Sequence, residues 1–222
     1  MEITPQKLAS SIDHTILRAD TDYACVDRFI SEADRYRFAS VCVNPWHVAR
    51  AVAKLKGTGV DVSTVIGFPL GANTSEVKVY EAVNAFESGA ARIGMVINSG
   101  AVKSNDFDTV FEDIKMVRSG IPDAILEVII ETALLSENEI IISSKICMEA
   151  GVDLICSSTG FSTLETKLSD VALIRRIVGL KKGVKASGNF RNLDSALKLF
   201  EAGADRLGCS GVVIVDEISG VR

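Results

Sequence analysis

Histidine is scarce in this chain of 222 residues: there are 2, His14 and His47, far apart in the sequence. None of the 5 cysteines forms a Cys-x-x-Cys pair. The ligand spacing of a zinc site is therefore missing, and no metal is expected. Cys25, Cys42, Cys147, Cys156 and Cys209 are odd in number and widely separated. That fits the reduced thiols of a cytoplasmic protein better than a disulfide framework. Positive charge is not in excess either, for the net charge is −5 with no block of like charges. A nucleic-acid partner is excluded, because no basic stripe exists to displace counterions from phosphates. A local site for one small phosphorylated ligand remains open. No apolar run approaches the roughly 20 residues of a membrane span, so no membrane partner is expected. The opening MEITPQKLASSIDHT lacks a basic region followed by an apolar run, so no secretory leader is expected. No Gly-x-Gly-x-x-Gly follows the first strand, and a dinucleotide site loses its usual marker.

What is present is a regular alternation. Apolar residues make up 47% and charged residues 24%, ordinary values for a globular chain. Short β-branched runs fall at 12–17, 40–43, 62–66, 92–97, 125–131, 154–157, 183–186 and 205–207. Between them lie helical patterns at 22–36, 45–55, 75–88, 106–118, 137–149, 165–178 and 193–201. In the first of these, Val26, Phe29, Ile30 and Ala33 share one face. ESGAAR, EAGVDL and EAGADR repeat one theme: helix end, glycine in a left-handed cap, next strand. Strands alternating with helices imply a parallel α/β sheet. With no linker or composition shift, 1–222 reads as a single domain. A closed (β/α)8 TIM barrel is the first choice and an open doubly wound sheet the second.

In a barrel, chemistry sits at the C-terminal ends of the strands, and side chains alternate inward and outward. Val184 and Ala186 are the apolar parity of GVKAS, so Lys185 points inward. Leu126, Val128 and Ile130 face out, leaving Glu127, Ile129 and Glu131 inside. Ile155 faces out and Cys156 in. A lysine amid an apolar strand is costly to bury unless paired or deprotonated. Lys185 is thus an amine nucleophile, a proton-transfer acid, or one half of an ion pair with Asp13 or Glu127. Glu127 is a general base or that partner, and Glu131 contacts ligand or caps a neighbouring loop, with the cap preferred. Asp13 tunes a lysine, orients water or stabilises the strand end; His14 reads as structural. Cys156 and Cys42 are acid–base thiols or small inert hydrophobes. The loops STGFS, ASGNFR and LGCSG follow the last three strands, where barrels often bind phosphate through backbone N–H groups. Their candidates are Thr159, Gly160, Ser187, Gly188, Asn189, Gly208 and Ser210. The segment GFPLGANTSEVKVYEA (67–82) reads as a ligand-facing loop, with Thr74 and Ser75 as caps and Lys78 one turn in.

DHTIL (13–17), VCVNP (41–45), TVIGFPLGANTSEVKVYEA (64–82), MVINSGAVKS (95–104), EVIIET (127–132), SSTGF (157–161), VKASGNFR (184–191) and EAGADRLGCSG (201–211) together carry a resemblance. From about residue 10 to the end, the chain resembles the deoxyribose-phosphate aldolase family. The resemblance implies a TIM barrel, often a homodimer. It implies cleavage of 2-deoxyribose 5-phosphate to glyceraldehyde 3-phosphate and acetaldehyde, with no cofactor. It places an imine-forming lysine on the sixth strand, a second lysine on the seventh, and a proton-relaying aspartate on the fourth. It also places Asp13 and Cys42 in the site. Lys185 matches the seventh-strand lysine. At the other positions this chain has Cys156 for the imine lysine, Gly94 for the aspartate and Glu127 for a lysine common on the fifth strand; ASGGIR becomes ASGNFR. An imine needs a neutral amine, and one lysine cation beside another supplies it by depressing the neighbour's pKa. With Cys156 uncharged and Glu127 anionic, Lys185 is expected to be a poor nucleophile near neutral pH. The leading expectation is a divergent carbon–carbon lyase acting on a small phosphorylated sugar or aldehyde. A non-imine sugar-phosphate isomerase, epimerase or cyclase and a phosphate-binding pseudoenzyme are the alternatives.

Overall fold

A computed structural model describes residues 3–162, 166–188, 190 and 192–220. Its elements run α1 (Pro5–Ala9), β1 (Ile12–Ile16), α2 (Tyr23–Tyr36), β2 (Ser40–Val43), a 3₁₀ turn (Pro45–His47) leading into α3 (Val48–Leu55), β3 (Asp61–Ile66), α4 (Ser75–Glu87), β4 (Arg92–Val96), α5 (Ser99–Lys103), α6 (Phe107–Gly120) and β5 (Ile125–Ile129). After a second 3₁₀ turn (Thr132–Leu134) come α7 (Glu137–Glu149), β6 (Leu154–Cys156), α8 (Leu168–Val178), β7 (Gly183–Ser187), α9 (Leu193–Glu201), β8 (Arg206–Cys209) and α10 (Val212–Ile218). The strands pair in chain order and the sheet closes. Because β1 is hydrogen-bonded in parallel to both β2 and β8, the open doubly wound sheet is ruled out.

The alternation along each strand sorts the apolar residues into two bodies. Leu126, Val128, Ile130, Ile155, Val184 and Ala186 point outward and join Val26, Phe29, Ile30 and Ala33 of α2 in the main core between sheet and helices. Cys42, Val65, Val96, Ile129 and Cys156 point inward and form a separate small cluster inside the barrel. The glycines of the three repeated junctions, Gly89, Gly151 and Gly203, take positive φ as expected. Among the described residues no helix is long and apolar enough to cross a membrane.

The sequence reading and the structure differ at element ends. The fifth strand stops at Ile129 rather than 131, because Glu131 turns the chain with a left-handed backbone, φ 50. The expected helix 45–55 splits into a 3₁₀ turn and α3. Thr74 is the N-cap of α4, but its side chain makes no capping hydrogen bond there. The short helices α1, α5 and α10 carry too few residues to show a period and were not anticipated. Part of the expected helix 165–178 lies outside the described residues, and α8 begins at Leu168.

Lys78 does not face ligand. It is fully buried and donates to Asp113 at 2.5 Å, tying α4 to α6. Its methylenes pack against Gly67, within 3.0–3.4 Å of where a Cβ would stand. Removing one partner of such a pair strands a charge in the core, which typically costs about 3–5 kcal/mol, whereas a well-packed apolar pair of similar volume is often neutral. Asp113→Ala is therefore expected to lose about that much stability in urea unfolding, and Lys78→Met with Asp113→Leu to recover most of it. A near-neutral Asp113→Ala would contradict the role given to this pair.

Candidate active site

The mouth of the barrel at the C-terminal ends of the strands opens into a cavity of about 210 Å³. Strand parity delivers its floor. Lys185 of β7, Glu127 of β5 and Cys156 of β6 all face inward, as the alternation predicted. The Lys185 ammonium donates to Glu127 Oε2 at 2.7 Å and sits 2.9 Å from Asp13 Oδ2 of β1. Asp13 is fully buried and does not line the cavity itself. It accepts a 2.5 Å hydrogen bond from Ser40 and ion-pairs with Arg206 of β8. Charges thus alternate through the barrel from Glu127 to Lys185, Asp13 and Arg206.

Burial acts against all of these charges, so the pairing decides their protonation. Desolvation alone would lower the Lys185 pKa, but the carboxylates of Asp13 and Glu127 override it and hold the pKa well above 10.5. Desolvation pushes the Asp13 carboxyl up, yet Lys185, Arg206 and Ser40 together hold it well below the usual carboxylate range. Lys185 is therefore an ammonium at neutral pH, as the anionic Glu127 implied. Glu127 Oε1 is buried and has no hydrogen-bond partner among the described residues.

The thiols are neutral wall. Burial pushes both Cys156 and Cys42 up to about 11. Cys156 Sγ donates to Ser187 Oγ at 3.3 Å or to the Ser158 carbonyl at 3.5 Å. Thr159, Gly160, Ser187, Gly188, Gly208 and Ser210 ring the same cavity. Asn189 lies outside the described residues. Gly208 has no room for a side chain: a Cβ would collide with Ser187 Oγ and stand 3.0 Å from Lys185 Cε.

Several contributors escaped the sequence reading. Arg206 faces inward by the same parity that puts Leu207 in the core, a signal present in β8 but not followed. Glu131 caps the next loop, as expected, but its partners emerge only in space. Its carboxylate accepts from Ser158 Oγ at 3.0 Å, the Thr159 amide at 3.1 Å and Thr159 Oγ1 at 2.5 Å. Phe161 of that loop packs edge-on against Phe68 of the loop after β3, with centroids 5.1 Å apart, across the cavity mouth. His14 is structural: it stacks on Phe29, accepts from the Gly211 amide and bonds Glu32. Among the described residues no group of three or more His, Cys, Asp or Glu is placed to hold a metal ion.

A closed parallel barrel with a charged lysine on the seventh strand and a glycine-rich rim at the C-terminal ends of its strands defines a TIM-barrel protein. The chain belongs to the DeoC/LacD family of aldolases, whose model matches residues 7–216. It is 49% identical over 216 residues to the deoxyribose-phosphate aldolase of Enterococcus faecalis (strain ATCC 700802 / V583), covering 96% of this chain and 98% of that protein. The corresponding protein of Lactococcus lactis subsp. cremoris (strain SK11) is 51% identical over 209 residues, with 94% and 95% covered. Among solved structures, an aldolase called QR15 superposes with a TM-score of 0.92 at 40% identity, covering 96% of each chain. The tetrameric deoxyribose phosphate aldolase of Aeropyrum pernix gives 0.90 at 29%, covering 99% of this chain and 94% of its own.

The thiolate is the reactive form of cysteine. With a pKa of about 11, Cys156 and Cys42 are ionised to roughly one part in a thousand at pH 8. Iodoacetamide at pH 8 is expected to label the half-buried Cys25 first and to spare Cys42, Cys147, Cys156 and Cys209 until the protein unfolds. Rapid labelling of Cys156 in the native protein, read by peptide mass, would show that the site activates this thiol.

Proposed function

We propose that the protein is a carbon–carbon lyase that performs a retro-aldol cleavage on a small phosphorylated sugar aldehyde, of the kind represented by 2-deoxyribose 5-phosphate. The observation that carries the reading is the Lys185–Glu127 pair on the cavity floor: one fixed cation beside one carboxylate oxygen with a free lone pair. Retro-aldol cleavage needs both groups. Lys185 donates to the substrate carbonyl oxygen and stabilises the negative charge that develops there. Glu127 Oε1 takes the proton of the hydroxyl on C3. The C2–C3 bond breaks, C3 becomes the carbonyl of the phosphorylated aldehyde, and the electron pair passes to C2 as an enolate. Glu127 returns the proton to C2, releasing the second aldehyde. Atoms and charge balance without a cofactor.

The rim supplies the other end of the site. The backbone and hydroxyl donors around Thr159, Gly160, Ser187, Gly188, Gly208 and Ser210, and Asn189 as the next residue in the sequence after Gly188, are the groups we assign to the phosphate. Asp13 positions Lys185 and keeps it charged, while Cys156 and Cys42 contribute neutral surface. The names of the relatives favour a lyase over an isomerase or a protein that only binds. Assembly as a homodimer belongs to the same proposal.

The test pairs turnover with borohydride trapping. Incubation with 2-deoxyribose 5-phosphate is expected to release acetaldehyde and to leave no borohydride-stable adduct on Lys185. Glu127→Gln is expected to lower kcat by about 10²–10⁴-fold, the usual range for losing a general base. Cys156→Lys places an amine beside the Lys185 cation, and should give both faster turnover and an adduct at position 156. An adduct on Lys185 in the unmodified protein would replace this mechanism with an imine. No turnover would remove the lyase.

A further inference from the structure

Gly94 occupies the middle of β4, beside Glu127 in the β4–β5 register, and lines the cavity. Nothing in the backbone requires glycine there, for its φ is not among the positive ones. Nothing in the packing requires it either. A Cβ at this position would meet the Thr64 carbonyl oxygen at 3.5 Å and Ile129 Cδ1 and Val65 Cγ1 at 3.6 Å, all ordinary van der Waals contacts. Gly208 across the barrel, where a Cβ collides, shows what a packing-imposed glycine looks like. The space at Gly94 therefore belongs to the cavity rather than to the fold.

The side chains nearest that space are apolar. Ile129 and Val65, its nearest side chains, belong with Val96, Cys42 and Cys156 to the small inward cluster, and both thiols stay protonated. This wall runs from β2 to β6 and meets the glycine-rich rim where Cys156 donates to Ser187 Oγ at 3.3 Å. In the proposed cleavage Glu127 protonates C2, and Gly94 is the register partner of Glu127 on β4, which sets the C2 carbon of the ligand beside Gly94.

We propose that Gly94 opens a subsite for an alkyl branch on C2, so that the substrate class is a C2-alkylated phosphorylated sugar aldehyde whose cleavage releases an aldehyde larger than acetaldehyde. The inference rests on the lyase reading for its direction of binding. A methylene in a hydrophobic pocket discriminates by roughly 10–200-fold, which makes the effect measurable.

The experiment uses two non-cleavable probes on the full chain, 2-deoxyribitol 5-phosphate and its 2-C-methyl derivative, with affinities measured by calorimetry. The native protein is expected to bind the methyl derivative about 10-fold more tightly. Gly94→Ala, whose added carbon makes only ordinary contacts, is expected to cancel or reverse that preference. Equal or weaker binding of the methyl derivative to the native protein would overturn the subsite. So would a preference that Gly94→Ala leaves intact, or failure of both probes to bind. Because alditols cannot be cleaved, these outcomes are independent of turnover. A methyl preference without cleavage of any aldehyde would keep the subsite and reject the lyase.

Discussion

The ammonium of Lys185, held between Asp13 and Glu127, is the interaction on which the barrel interior depends. A single buried cation is expensive, and a buried pair offsets its desolvation only when the geometry is good and the remaining hydrogen bonds are made. Here the pairing extends along four strands, from Glu127 on β5 through Lys185 on β7 and Asp13 on β1 to Arg206 on β8. Two anions face two cations. The arrangement is thus self-neutralising, and it ties non-adjacent strands together across the core of the barrel.

The same pairing sets the chemistry. A lysine nucleophile must spend time as a free amine, and the usual devices are an apolar site or a neighbouring cation. This site supplies burial, but its carboxylates outweigh it. It surrounds the amine with carboxylates, and the position that would hold a neighbouring lysine carries a neutral thiol. What remains is a fixed positive charge in a low-dielectric cavity. Such a charge is worth far more to a developing oxyanion than it would be in water, and it needs no reorganisation during reaction. The loss of the amine nucleophile and the gain of a fixed charge that stabilises an oxyanion are a single consequence of Cys156 and Glu127.

Much of this was legible in the sequence because strand parity is strict. Once Val184 and Ala186 are assigned to the core, Lys185 has to point inward; the same step places Glu127 from Leu126 and Val128. Glycine loops after the last strands likewise announce the rim. Other features depended on contacts between elements distant in the chain. Glu131 caps a loop nearly thirty residues away, roughly the span of one strand–helix unit, and its left-handed backbone shortens a strand whose composition reads as continuous. Lys78 lies one turn into a helix after a loop that read as ligand-facing, but packing of α4 on α6 sends it to Asp113. Phe68 meets Phe161 only because barrel closure brings the third and sixth loops together. Gly94 was visible as a departure from the resemblance, whereas the room around it was not.

The direct measurement is a titration of the Lys185 side chain by NMR in protein carrying ¹³Cε-labelled lysine, with Lys185→Met to assign the resonance. A folded pKa raised above the unfolded value contributes stability fully below about 10.5, lost only as pH rises through the folded pKa. The account predicts that Lys185 remains an ammonium across the neutral range and past pH 10.5, and that the protein weakens only on the alkaline side of that value. A midpoint near 7–8, the range to which enzymes tune a catalytic amine, would contradict it.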